Sequence, residues 1–357
     1  MVILMMPPST DTLEAYVSEL ISGTPCVRVS NRSDLSHHFK SSDQPNDRKW
    51  VFVAELNNFG LNLSFMELVQ CLMSSHADDL SGSTGMVIVK SDNQWHTKSF
   101  SSWLLFSLNM LGFRFPGHPV IEMTQGLENL NRWEKTTGLS RNTLLRQLGT
   151  KTFQRFLQPS PVSIEKIPRI TALHASSRST SNTLSLWNMT KEHLTECEVQ
   201  DYHVANGTVL DCIGCPYQTC LYFGSQQSCF YGGDIVEELF PAIECSDALL
   251  WICPNYNDTL SANLMAVINR LTALYRTRSF YDKKIFAVIV SGNSGSDAVA
   301  RQLIDALCIN KGFHLPPQFC LTATAYDPGS IYQLEGIEKR AAEFAALILR
   351  ELKNDHL

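Results

Sequence analysis

The sequence has little charge and no long apolar run. Only 18% of its 357 residues are charged, and no stretch reaches the roughly 18 uncharged apolar residues that a membrane span needs. Lysine and arginine total 29 against 35 aspartates and glutamates, a net charge of −6. A net negative chain is poorly suited to neutralising phosphates, which argues against nonspecific nucleic-acid binding. We expect neither a nucleic-acid nor a membrane partner.

The N-terminus lacks the pattern of a secretion signal, and the cysteines lack that of a disulfide framework. Residues 1–6 are apolar but carry no basic residue, and Pro7, Pro8 and Asp11 follow too early for a signal's apolar core. Eleven cysteines are an odd number, and those outside one cluster are irregularly spaced, which favours reduced thiols. We therefore expect a cytoplasmic protein.

Apolar residues are plentiful and predict packed cores. They make up 44% of the chain, and at roughly 150 residues per domain the length predicts two domains. Pro159 and Pro161 interrupt the chain after a helix predicted over 143–157. The predicted organisation is an N-terminal domain over 1–158, a linker over 159–166 and a C-terminal domain over 167–357.

In the C-terminal half, short apolar runs alternate with helical periods. Periodic apolar positions such as Ile337, Ala341, Phe344, Ile348 and Leu352 predict helices between the runs. This alternation predicts a doubly wound parallel α/β sheet. The predicted strands are 170–173, 248–253, 285–290, 319–325 and, more weakly, 198–202.

Three segments of the N-terminal half echo segments of the C-terminal half at nearly constant offsets. Residues 51–60 parallel 249–258 with an offset of 198, so that Asn57 falls on Asn255; 86–89 and 111–116 have counterparts at offsets of 201 and 200. The offsets predict a duplicated βαβ segment, although any two such units look somewhat alike. Because only 50 residues precede Val51, we expect the N-terminal copy to be truncated.

The loop that follows the first C-terminal strand combines hydroxyls, an amide and a guanidinium just before a predicted helix. Free N–H groups and the helix dipole favour an anion there. The loop has neither the glycine pattern of a dinucleotide site nor the lysine of a triphosphate loop. It predicts a phosphate site, with an ordinary capped loop as the alternative. The adjoining His174 is either structural or a pH-sensitive group.

Residues 175–183, Ala-Ser-Ser-Arg-Ser-Thr-Ser-Asn-Thr, resemble the Gly-Ser-Pro-Arg-x-x-Ser-Asn-Thr loop of the NADPH-dependent FMN reductase family. That family has a flavodoxin-like fold and includes iron–sulfur flavoproteins. Residues 254–264, with Ala266 and Arg270, resemble its Pro-x-Tyr-x-x-x-x-Ser-x-x-Leu-Lys-x-x-x-Asp-Arg segment. With residues 290–292 the resemblance spans about 167–330. The chain departs from the pattern at Ala175, Ser177 and Asn269.

The resemblance implies an FMN-binding flavodoxin-like C-terminal domain and a second, truncated flavodoxin-like domain without a cofactor loop. It also implies which residues contact the flavin. The FMN phosphate would be held by Ser176, Arg178, Ser181, Asn182 and Thr183. The isoalloxazine ring would be bordered by Pro254, Asn255, Tyr256 and Asn257 and, at its other edge, by Ser291 and Gly292.

The activity implied by the resemblance is that of an NAD(P)H-dependent flavin oxidoreductase. FMN would carry the chemistry, so no catalytic side chain is required, and NAD(P)H would be the co-substrate. The electrons would pass to a small-molecule acceptor such as a quinone, a nitro compound or free flavin. Related domains dimerise with FMN near the interface, which implies a homodimer or contacts from the internal copy. The alternatives are a noncatalytic electron carrier and a structural protein without cofactor.

Four cysteines form the pattern Cys212-x2-Cys215-x4-Cys220-x8-Cys229. Four thiolates this close together suit a 4Fe–4S cluster or a tetrahedral zinc site. The iron–sulfur relatives have a compact cysteine motif in the same part of the chain, with tighter spacing. Unligated thiols are the third interpretation. Because the segment follows the second strand, we expect it at the same sheet edge as the phosphate loop.

Overall fold

The computed structural model describes residues 1–41, 48–76, 80–158, 167–176, 180–205, 207 and 209–353. The chain divides into two compact units, Met1–Pro159 and Ser160–Leu357. The predicted linker over 159–166 lies outside the described residues, as do residues 177–179 of the predicted phosphate loop. None of the described helices combines the length and the apolar character needed to cross a bilayer.

The N-terminal domain contains a five-stranded sheet in the order β2-β1-β3-β4-β5, with every neighbouring pair parallel. The strands are β1 (Val2–Met5), β2 (Cys26–Val29), β3 (Lys49–Leu56), β4 (Thr84–Ser91) and β5 (Val120–Met123). The helices are α1 (Asp11–Leu20), α2 (Arg32–Ser41), α3 (Leu63–Ser75), α4 (Thr97–Met110), α5 (Asn131–Thr137) and α6 (Arg141–Leu157).

The C-terminal domain contains a second parallel sheet, in the order β10-β9-β8-β6-β7. The strands are β6 (Arg169–His174), β7 (Glu198–His203), β8 (Ala248–Pro254), β9 (Lys284–Ser291) and β10 (Cys320–Thr324). The helices are α7 (Asn182–Lys191), α8 (Tyr217–Gly224), α9 (Phe240–Cys245), α10 (Ala262–Arg270), α11 (Thr272–Tyr275), α12 (Ser296–Leu303) and α13 (Ile337–Lys353).

Numbered within its own domain, each sheet has the order 2-1-3-4-5, which is the flavodoxin-like order. The predicted fold class is therefore confirmed, and the two sheets share one strand order. The expected truncation is wrong, because the N-terminal sheet has all five strands. The apolar residues 2–5 form its first strand, and short connections place two strands before Lys49.

The central C-terminal strands are buried along their whole length. Every residue of β8 and β9 is buried, as expected when helices cover both faces of a parallel sheet. Helix α13 buries its predicted stripe, from Ile337 through Phe344 to Leu352, in the core cluster that also contains Trp187. This packing fixes the carboxyl ends of β6 and β8 side by side, where the strand order reverses.

Candidate functional site

The loops that follow β6, β8, β9 and β10 form what we call the rim of the C-terminal sheet. Helix α7 begins there, and the hydroxyl of its N-cap residue, Ser181, accepts a hydrogen bond from Leu184 N at 3.3 Å. The amides of Asn182 and Thr183 are the remaining donors of the first turn. A helix N-terminus of this kind favours an anion. Arg178 lies outside the described residues.

The side chain of Asn182 joins the start of α7 to the loop after β10. Its amide donates to Ala325 O at 3.2 Å and to Asp327 O at 2.8 Å. Its carbonyl oxygen accepts from Gly329 N at 3.0 Å and Ile331 N at 3.4 Å. The side chain is thus committed to holding two loops together, which leaves its backbone amide for the predicted phosphate.

Asn255 joins the loops after β8 and β9. Its amide nitrogen lies 3.0 Å from Ser291 Oγ, 2.9 Å from Ser294 O and 3.1 Å from Asp258 Oδ1. Ser291 is buried. The Asn255 carbonyl oxygen is buried and has no hydrogen-bond partner among the described residues. The Asn255 side chain is therefore held in place by its nitrogen, and its carbonyl oxygen remains as an acceptor for a ligand.

The segment after β8 is a two-residue turn that exposes an aromatic ring. Asn257 and Asp258 have φ values of 55° and 57°, and Tyr256 and Thr259 exchange two backbone hydrogen bonds of 3.3 and 3.1 Å. Asn and Asp tolerate the left-handed region better than most residues. Pro254 is buried in the strand, whereas Tyr256 is 56% exposed.

Tyr326 is a rim residue that the sequence analysis missed. A Cβ atom built on Gly292 would lie 3.0 Å from Tyr326 Cδ2, so the ring rests against the backbone there. Tyr326 is 78% exposed. In the sequence, the one indication that Tyr326 lies at the rim is its position as an aromatic residue just after the last strand. Tyr256 and Tyr326 are two exposed rings of the rim.

His174 and His203 stack at the carboxyl ends of β6 and β7. Their ring centroids are 4.8 Å apart with planes inclined by 8°, and His174 Nδ1 lies 3.1 Å from Ser176 O. Burial, followed by the charge of His203, lowers the pKa of His174. Burial therefore favours the neutral form of His174, whose ring contacts the first residues of the phosphate loop.

The four cysteines of the predicted cluster are free and partly exposed. Within the described residues, which include all four, no group of three or more His, Cys, Asp or Glu side chains is arranged to hold a metal ion. The predicted metal site at Cys212, Cys215, Cys220 and Cys229 is thus unsupported. Cys220 lies on α8, so the four thiols do not share one loop.

The cysteine segment, residues 210–233, also lies away from the rim. Asp211 accepts from Asn269 Nδ2 at 2.9 Å, and Gly232 O accepts from Arg270 at 2.7 Å. Both partners are in the last turn of α10, about 12 Å along the helix axis from its rim end. The expectation that the thiols lie beside the phosphate loop is wrong, because the segment runs along the helix after leaving β7.

In the N-terminal domain, a carboxylate of the protein occupies the position that corresponds to the phosphate. Glu55, near the end of β3, accepts from Thr10 N at 2.7 Å and from the Thr10 hydroxyl at 2.8 Å, just before α1. Lys90 Nζ lies 2.5 Å from Glu55 Oε1. Burial acts to raise the pKa of Glu55, but Lys90 and Thr10 bring it below its usual value. A phosphate entering here would meet this carboxylate.

A cavity of about 700 Å³ lies in the N-terminal domain, lined in part by Tyr16, Lys90 and Arg146. Lys90 is paired with Glu55, and Arg146 lies 3.2 Å from Glu19. Its cations are therefore neutralised by the domain's own carboxylates, and the cavity offers no anion site comparable to the rim.

In a flavodoxin-like sheet, the point where the strand order reverses is the usual place for a ligand, and in this domain polar loops are held together there. Residues 168–326 match the family model described as NADPH-dependent FMN reductase. The match confirms the resemblance predicted from the 175–183 and 254–264 segments. The matched residues include both of those segments and the strands β6, β7, β8, β9 and β10.

The chain is also similar in fold to solved structures. An NAD(P)H:quinone oxidoreductase from Methanothermobacter marburgensis has 16% identity and a TM-score of 0.38 over 53% of this chain and 98% of its own. An FMN-dependent NADH-azoreductase from Bacillus anthracis, in complex with FMN, has 9% identity and a TM-score of 0.36 over 51% and 99%. These likenesses are too low to transfer a function. No curated protein sequence matches the chain.

Proposed function

We propose that the C-terminal domain binds one FMN at the rim and uses it to pass electrons from NAD(P)H to a small acceptor, such as a quinone, a flavin or a nitro compound. The family match over residues 168–326 carries this proposal. It includes the rim, where Asn182 joins the loops after β6 and β10 and Asn255 joins those after β8 and β9.

The residues of the rim fit FMN. The hydroxyls of the 175–183 loop and the first-turn amides of α7 suit a phosphate, and Ser176, Arg178, Ser181, Asn182 and Thr183 would hold it. The buried, unpartnered carbonyl oxygen of Asn255 suits an N–H donor of the ring. Pro254, Asn255, Tyr256 and Asn257 would border one edge of the ring, and Ser291 and Gly292 the other.

Bound FMN would supply the redox chemistry by accepting a hydride equivalent from NAD(P)H and giving electrons to the acceptor. The protein's part is to position the cofactor. Ser291 and Ser294 fix the Asn255 amide before any ligand arrives, so little ordering is left to binding. The exposed rings of Tyr256 and Tyr326 offer stacking surfaces at the entrance.

The experiment compares two asparagines that occupy corresponding positions in the two domains. Asn255→Ala removes the bridge at the rim. Asn57→Ala changes the N-terminal counterpart, whose carbonyl oxygen accepts from Phe59 N and Leu61 N of its own loop. We expect Asn255→Ala to weaken FMN binding at least tenfold and Asn57→Ala to leave it unchanged, as measured by flavin fluorescence. Equal affinities in the wild type and in Asn255→Ala would contradict the proposed site.

Anaerobic mixing of the flavin-loaded protein with NADPH and with NADH tests the activity. Rapid bleaching of the flavin absorbance supports the reductase. A flavin that both nicotinamides leave oxidised, but that dithionite reduces, would favour the electron carrier. A protein that stays colourless after incubation with FMN would refute both.

A further inference from the structure

Two histidine rings lie side by side at the carboxyl ends of β6 and β7. The strands pair in parallel with His174 opposite His203, and the rings stack with centroids 4.8 Å apart and planes inclined by 8°. Aromatic rings attract one another at this separation. His203 is exposed on the edge strand, whereas His174 is half-buried. His203 therefore covers one face of the His174 ring.

The stacked pair lies on the face of the sheet that α7 covers. Ile170 and Ala172 of β6 belong to the core cluster that contains Trp187 of α7. Alternate residues of a strand point to the same face, so the His174 side chain lies on that face too. The ring of His203, which stacks on it, lies there as well.

The pair is also level with the first turn of α7. Trp187 Nε1 donates to Asp201 Oδ1 at 2.9 Å, which aligns these two positions. Because α7 connects two parallel strands, it runs back along them, and the step from Trp187 to Asn182 rises about 7.5 Å toward their carboxyl ends. The step from Asp201 to His203 advances about 6.6 Å in the same direction. The histidines therefore lie beside the helix N-terminus at which we propose that the FMN phosphate binds.

The contact between the His174 ring and the phosphate loop fixes one tautomer of the imidazole. His174 Nδ1 lies 3.1 Å from Ser176 O, and a carbonyl oxygen only accepts hydrogen bonds. Nδ1 therefore carries the proton, and Nε2 carries none in the neutral ring. The backbone is held too, because the His174 carbonyl accepts from Val204 N at 2.8 Å.

This hydrogen bond occupies a carbonyl oxygen at the start of the phosphate loop. Carbonyl oxygens are the negative ends of peptide dipoles and repel an anion, whereas N–H groups attract it. The bond to His174 Nδ1 holds the Ser176 oxygen on the ring, so that it is not free to turn toward a phosphate. The stack with His203 restricts rotation of the ring itself.

We propose that His174 is a positioning residue for the FMN phosphate and makes the rim select FMN over riboflavin, which lacks that phosphate. Its Nδ1–H, supported by the His203 ring, holds the Ser176 carbonyl away from the anion. This role rests on the proposed function, since it requires FMN at the rim. Because His174 acts through Ser176 and not on the isoalloxazine ring, its effect is confined to ligands that carry the phosphate.

Dissociation constants for FMN and for riboflavin, measured by flavin fluorescence on full-length variants, test this role. His174→Ala should weaken FMN binding at least about tenfold, as expected for one lost hydrogen bond, and riboflavin binding less than about twofold. His174→Asn should restore FMN binding to within about threefold of the wild type, because Asn Nδ2 and His Nδ1 are both bonded to Cγ. The longer His174→Gln should not restore it. His193→Ala, at an exposed histidine after α7, is the matched control and should change neither constant.

Variants of the second histidine test the stack. His203→Ala should weaken FMN binding about threefold or more, whereas His203→Phe, which keeps a stacking ring, should weaken it less than about twofold. Equal losses in the two variants would overturn the part assigned to stacking.

The tautomer is measured on the wild-type protein without ligand, by NMR of the imidazole nitrogens at about pH 8, where an imidazole is neutral. We expect the proton of His174 on Nδ1, with the signal assigned by its loss in His174→Asn. A proton on Nε2 would overturn the proposal even if the variants do not fold.

The binding data separate failure of this role from failure of the proposed function. Wild-type protein that binds FMN and riboflavin equally tightly would overturn the role of His174 and leave the flavin site in place. The same holds if His174→Ala weakens both ligands equally or weakens neither. Wild-type protein that binds neither ligand would overturn both the role and the proposed function.

Discussion

Replacing Asn182 by alanine should lower the free energy of unfolding of the C-terminal domain by more than the loss of one hydrogen bond would. Two of its bonds, to Asp327 O at 2.8 Å and from Gly329 N at 3.0 Å, are well formed, and two, with Ala325 O and Ile331 N, are longer. Each lost bond costs about 1 kcal/mol, and backbone groups left buried without a partner cost more. With Asn182 9% exposed, we expect a loss of about 2 to 4 kcal/mol in the free energy of unfolding.

Urea denaturation followed by tryptophan fluorescence measures this loss, since Trp187 and Trp251 are buried in the same domain. The matched control is Asn188→Ala, the same substitution at an exposed position of α7, for which we expect a change below about 0.5 kcal/mol. Asn182→Asp keeps the acceptor but sets a carboxylate oxygen against Ala325 O and Asp327 O, so its loss should be at least as large as that of Asn182→Ala. The reasoning fails if Asn182→Ala and Asn188→Ala destabilise the protein equally.

Three other predictions concern the phosphate position, the rim and the cofactor. Because the pKa of Glu55 is lowered in the folded state, its stabilisation is present above its unfolded pKa and is lost as the pH falls through the folded pKa. Glu55→Gln should therefore cost about 1 to 2 kcal/mol at pH 7 and little in acid, and a loss in urea stability that does not vary with pH would contradict this. Gly295→Ala should lower the free energy of unfolding by at least about 1 kcal/mol. The reason is that φ at Gly295 is 89° and the new Cβ would lie 1.8 Å from Asp258 Oδ1. An unchanged midpoint of urea unfolding would contradict this. Equilibrium dialysis should find one FMN per chain, and two would show that Glu55 does not close the N-terminal position.

Much of the fold could be predicted because continuous burial and helical period leave direct traces in the sequence. The all-apolar runs of β8 and β9 and the stripe of α13 are of this kind. The four apolar residues of β1 leave no such trace. The run before Pro7 is too short to show a helical or strand periodicity, so the sequence alone does not indicate a strand there. The resemblance located the rim loops, but contacts such as that of Asn182 with Asp327, 145 positions away, are set by tertiary packing. The cysteine spacing likewise could not reveal that Asp211 is bound to the far end of α10.

Glu55 supplies, from within the N-terminal domain, the negative charge that a bound phosphate would bring to the start of α1. A ligand stabilises the folded state that binds it by an amount that grows with the logarithm of its free concentration once that exceeds the Kd. A domain that depends on bound flavin therefore becomes easier to unfold and to degrade when a cell is short of riboflavin. The negative charge at the start of α1 comes instead from a side chain of the same domain. We therefore expect the stability of that half not to depend on the supply of flavin.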